Sequence, residues 1–90
     1  MTNEIYKIIS KIASVNINEI SESSTLIGLS SILDSMRLVE LCLALEDLSE
    51  EFNFRFDWTS EYAMSKSQST FRNVGSLIEE FKNQMKQNSK

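Results

Sequence analysis

Residues 32–47 read ILDSMRLVELCLALED, and this stretch decides the fold. Leu38, Leu41 and Leu45, continued by Leu48 and Phe52, recur at alternating steps of three and four residues. That spacing puts them on one face of a helix. Val39, Cys42 and Leu43 widen the apolar arc, so the helix is expected to pack on more than one side. Its polar positions are mostly acidic: Glu40, Glu46, Asp47, Glu50 and Glu51. Asp34 stands where an N-cap belongs, and a carboxylate there is worth about 0.5–2 kcal/mol over alanine. Ser35 then falls in the first turn, beside unpaired backbone N–H groups and the positive end of the helix dipole. The pattern predicts a helix over 35–51.

Toward the N-terminus, Ile5, Ile8, Ile9 and Ile12 follow the same helical spacing and predict a first helix over 3–14. Thr2 or Asn3 can cap it, Glu4 suits its first turn, and Lys7 and Lys11 form a small exposed basic strip. From residue 15 to 33 the periodicity breaks. So long a loop needs anchors, and Val15, Ile17, Ile20, Leu26, Ile27, Leu29, Ile32 and Leu33 are expected to supply them. Beyond the central helix, Phe52, Phe54, Phe56 and Trp58 alternate with Asn53, Arg55 and Asp57. Period two predicts an extended connector with one buried side, its aromatic rings closing the end of the core. Thr59 is expected to cap a short helix over 60–64, and the polar run SKSQST (65–70) to be the most mobile internal stretch. Val74, Leu77, Ile78, Phe81 and Met85 share a face of a last helix over 74–87, capped by Thr70 or Asn73. Residues 88–90 are expected to fray. The expectation is one domain over 1–90, all-α, a four-helix bundle with a long first loop and an extended aromatic connector after the second helix.

Composition narrows the function. Ninety residues exceed the length at which a domain usually depends on metals or disulfides. Proline is absent and only two glycines occur, which agrees with long helices. The net charge of −4 argues against nucleic acid as a partner and favours basic patches on other proteins. With one cysteine, Cys42, no intrachain disulfide forms, and its place in the apolar helix points to a buried thiol. The lack of histidine, with only one cysteine, argues against a zinc site and rules out Ser-His-Asp and Cys-His mechanisms, so the chain is not expected to be an enzyme. No basic-then-apolar leader opens the sequence, and no apolar run approaches about 20 residues. A cytoplasmic monomer without stable membrane insertion is therefore expected.

Asp34-Ser35-Met36, followed by Val39-Glu40-Leu41 and Ala44-Leu45-Glu46-Asp47, resembles the acyl carrier proteins. By position alone, Ser35 is a residue that helix starts favour. The resemblance implies more: Ser35 carries 4′-phosphopantetheine, derived from coenzyme A, and an acyl group is held on it as a thioester. It implies that Asp34 and Met36 are read by the phosphopantetheinyl transferase. Glu40, Glu46 and Asp47 would meet acyl-loading and acyl-transfer enzymes, and Leu38, Leu41, Leu45, Phe54, Phe71 and Leu77 would line an acyl groove. Departures from the family pattern point to a specialised pathway. Ile32 replaces a common glycine, Arg37 stands at a usually acidic or small position, and the segments 45–52 and 54–71 are longer. Leu33-Asp34-Ser35-Met36 is also similar to D-alanyl carrier proteins, so an aminoacyl cargo is an alternative, as is an unmodified helical adaptor.

Overall fold

Three amphipathic helices carry the core of the computed structural model, which describes residues 2–27 and 33–88. Expectations for Leu29, Ile32 and residues 89–90 lie outside the described residues. The helices are α1 (Thr2–Ala13), α2 (Ser35–Glu50), α3 (Glu61–Ser65), α4 (Ser67–Thr70) and α5 (Val74–Asn88), with a 3-10 turn at Ile17–Glu19. Among the described residues there is no strand, only an isolated bridge between Thr25 and Asn73. The all-α expectation stands, and the long helices fall within a residue of their expected bounds, but five helices rather than four occur among the described residues, because the polar run 65–70 contributes the additional α4.

In α1, Ile5, Ile9 and Ala13 are buried and Ile8 and Ile12 half-buried, while Lys7 and Lys11 are exposed. The helix stops at Ser14, whose φ of 58° turns the chain left-handed. The Val15 N–H then reaches back to the Ser10 carbonyl at 3.2 Å, a C-terminal closure that satisfies an orphan acceptor. The inner face of α2 buries Leu41, Cys42, Leu45, Leu48 and Ser49, with Leu38 and Phe52 half-buried. Val39 and Leu43, expected to broaden the packed arc, are instead 47% and 50% exposed. Only Cys42 of the three turns inward, because a helix face wider than its neighbours leaves its margin in solvent. Asn53, at φ 65°, ends α2 as Ser14 ends α1, and the Phe54 N–H meets the Ser49 carbonyl at 3.2 Å.

The connector follows the alternation. Phe54 and Phe56 are buried, Asn53 and Arg55 exposed, Phe52 and Trp58 half-buried. All three phenylalanines meet Phe81 of α5. Phe54 is edge-on at 5.1 Å between centroids, Phe56 stacked at 5.6 Å and Phe52 edge-on at 6.4 Å. Such pairs add about 0.5–1.5 kcal/mol each beyond their buried area. Two buried polar side chains fix the connector's backbone. The Ser49 hydroxyl donates to the Glu46 carbonyl at 2.7 Å and accepts the Phe56 N–H at 2.9 Å. Gln84 accepts the Asp57 N–H at 2.6 Å and donates to the Asp57 carbonyl at 3.0 Å, as a paired strand would.

The short helices depart in detail from expectation. Ser60, not Thr59, caps α3, accepting the Ala63 N–H at 3.1 Å. Thr59 instead gives its N–H to the Asp57 carboxylate. Within the polar run 65–70, α4 forms, and Thr70 is buried. Lys66, between the two helices, ties this run to α5 by donating to Glu80 at 2.9 Å, and to α3 by donating to the Tyr62 hydroxyl at 3.2 Å. Composition alone does not show that anchor.

Asn73 caps α5, exchanging hydrogen bonds with Ser76: Asn73 Oδ1 accepts the Ser76 N–H and Ser76 Oγ the Asn73 N–H. The first loop supplies further acceptors. Ser24 and Glu22 carbonyls take the Val74 and Gly75 N–H groups at 3.0 and 2.9 Å. A Cβ on Gly75 would lie 3.2 Å from Glu22 Cβ and 3.3 Å from the Glu22 carbonyl oxygen, so the glycine permits this close pass. Ile20, Leu26 and Leu33 anchor the loop in the core, and Val15 and Ile27 are half-buried. Ile17, expected as an anchor, is exposed: the 3-10 turn carries it outward.

Candidate functional site

The candidate site is the start of α2. Asp34 adopts extended backbone geometry, and its Oδ1 accepts the Arg37 N–H at 2.8 Å while its carbonyl accepts the Leu38 N–H at 2.9 Å. This cap holds the first turn and leaves the N–H groups of Ser35 and Met36 without helical partners. Ser35 is exposed, and its hydroxyl makes no hydrogen bond among the described residues. Met36 beside it is 76% exposed. Met36, Val39 and Leu43, at steps of three and four, form an apolar stripe running down α2 from the serine. Glu40, Asp47 and Glu50 are exposed on the same helix.

Glu46 stands apart from the other acids. Its Oε1 accepts the Trp58 indole N–H at 2.9 Å, and the exposed Arg55 guanidinium lies 3.7 Å away. The carboxylate therefore braces the connector against α2. The reciprocal effect falls on Cys42: burial first, and then the Glu46 charge, push its thiol up to about 12. It is free and buried, so it stays protonated at neutral pH and is a poor nucleophile.

The proposed groove residues come together, but as core. Leu41, Leu45, Leu77, Phe54 and Phe71 belong to one buried cluster, with Leu38 packed at its edge. Phe71 borders a cavity of about 10 Å³ with Phe56, Trp58 and Ala63, room for about one water. Trp58 and Gln84 line this cavity and the buried Ser49 holds Phe56 beside it, yet the sequence marks none of the three as a site residue. The indole at the end of the aromatic alternation was the one available signal. No group of three or more potential metal ligands occurs among the described residues, and none of their helices is long and apolar enough to cross a membrane.

Comparison with protein-family models, curated proteins and solved structures finds no match for this chain. The likeness to acyl carrier proteins rests on the residues from Leu33 to Asp47.

Proposed function

We propose that this chain is a carrier domain of the four-helix acyl-carrier type, which holds an acyl group as a thioester on 4′-phosphopantetheine joined to Ser35. One observation carries the reading: an uncommitted, exposed serine hydroxyl in the first turn of a well-capped helix. The residues present fit the group. A phosphodiester at Ser35 places its negative charge at the open end of α2, where unpaired N–H groups and the helix dipole favour it. Asp34 orients that turn through its own cap, which spares the Ser35 hydroxyl from structural duty. When bound, the arm supplies the thiol that forms the thioester.

The chain's own surface then serves recognition. Met36, Val39 and Leu43 offer an apolar strip beside Ser35, and Glu40, Asp47 and Glu50 surround it with negative charge suited to a basic partner. Asp47 is better placed than Glu46 for that role, because Glu46 is engaged with Trp58. Asp47→Lys is expected to slow association with a loading or transfer enzyme, most strongly at low salt. An association rate indifferent to both the substitution and salt would remove the acidic face from the account. The function itself is tested by incubating the chain with coenzyme A and a broad-specificity phosphopantetheinyl transferase, beside Ser35→Ala. Loading of the parent alone supports the carrier; no loading with any transferase favours an unmodified helical adaptor.

A further inference from the structure

A cleft of about 520 Å³ opens between α1 and α2, lined by Ile8, Lys11 and Ile12 on one side and Arg37, Glu40 and Ala44 on the other. Its volume lies within the range of small-molecule sites, about 300–1,000 Å³. The lining has three aliphatic residues, two cations and one carboxylate, a local excess of positive charge in a chain of net charge −4. Neither cation is within ion-pair distance of a carboxylate among the described residues. Arg37 reaches across to the end of α1, where its Nη1 donates to the Ala13 carbonyl at 3.4 Å. That contact steadies the guanidinium while using one of its five donors. Arg37 is also one of the positions at which the sequence departs from the carrier pattern, and the cleft gives this departure a use.

We propose that the cleft binds a free aliphatic monocarboxylate, with its chain on Ile8, Ile12 and Ala44 and its head at Lys11 and Arg37. The charge pattern selects the head group. Two cations favour one carboxylate, and Glu40 on the same wall repels a second one. A thioester has surrendered its carboxylate to the sulfur, so this site distinguishes the free acid from the carried acyl group. The proposal goes beyond the carrier reading and does not depend on modification of Ser35.

The test is a titration of the isotopically labelled full chain with sodium octanoate, followed by amide chemical shifts, beside octanamide and the dicarboxylate octanedioate. Octanoate is expected to move the amides of Ile8, Ile12 and Ala44 and to bind more tightly than either analogue. Lys11 is exposed, so Lys11→Gln should weaken binding about threefold without disturbing the fold. Adding Arg37→Gln should bring the loss to about tenfold. Because Arg37 also contacts Ala13, circular dichroism must show the double variant folded, and Lys11→Gln carries the test if it is not. Equal binding of octanamide and octanoate would overturn the proposal. So would shifts confined to the residues around Phe81, or no shifts at millimolar octanoate. Binding of an acidic peptide in place of octanoate would also overturn it, making the cleft a protein-docking face.

Discussion

Ser49→Ala isolates the hydrogen bond that fixes the aromatic connector. Ser49 is fully buried, and its hydroxyl accepts the buried Phe56 N–H at 2.9 Å. Alanine removes one oxygen and leaves a methyl group, so little packing is lost. The Phe56 N–H is left without a partner, and an unsatisfied buried donor costs about 1–3 kcal/mol. A destabilisation of about 2 kcal/mol is expected, a large share of the roughly 5–15 kcal/mol that holds a domain folded. At about 4–8 °C per kcal/mol for a domain of this size, Tm should fall by roughly 8–16 °C. Urea unfolding read by circular dichroism and by the single tryptophan, Trp58, measures the loss, with an unchanged slope if the unfolded state is unaffected. Ser69→Ala, an exposed serine on α4, serves as the control and should change stability by less than about 0.5 kcal/mol. A Ser49→Ala loss no larger than that control would refute the reasoning, because Phe56 would then need no acceptor from α2.

Two further outcomes follow from titratable groups. Cys42, buried and with its thiol pushed up to about 12, should react slowly with iodoacetamide at mildly alkaline pH in the folded chain and quickly in urea; equal rates would place the thiol in solvent. Asp57 is held below its ordinary carboxylate value of 3.8 chiefly by the Ser60 hydroxyl; burial opposes this, and the Ser60 and Thr59 N–H groups and then Arg55 add to the lowering. Its folded value is lower than its unfolded one, so its contribution is present above the ordinary value and lost as pH falls through the folded value. Asp57→Asn should therefore flatten that part of the stability profile in acid urea titrations, whereas a profile parallel to the parent would remove Asp57 from the acid response.

The periodicity of Ile5 to Ile12, of Leu38 to Leu48 and of Val74 to Met85 was enough to locate α1, α2 and α5, because each stripe meets the same core. The alternation from Phe52 to Trp58 was equally informative, since Phe54 and Phe56 reach Phe81 while Arg55 faces water. Asp34 and Ser35 were legible as a helix start because capping is local chemistry. Apolarity alone misplaced Val39, Leu43 and Ile17, which the neighbouring elements leave uncovered. Ser49 and Gln84 escaped notice for the opposite reason. Polar side chains in helices read as surface, yet these two are buried because they satisfy connector backbone 7 and 27 residues away in sequence. The Trp58–Glu46 bond and the Lys66–Glu80 bond also join separate elements, across 12 and 14 residues. At the site, capping chemistry placed Ser35 in the first turn of α2, while only tertiary structure shows that Ser35 and Asp47 are exposed and Glu46 engaged.

The most direct measurement is peptide mapping by tandem mass spectrometry after treatment with coenzyme A and a phosphopantetheinyl transferase. The account predicts one added phosphopantetheine, on the peptide spanning Asp34 to Met36, located at Ser35 and absent from a folded Ser35→Ala variant. An unmodified parent with every transferase tried, or addition at a different serine, would contradict it.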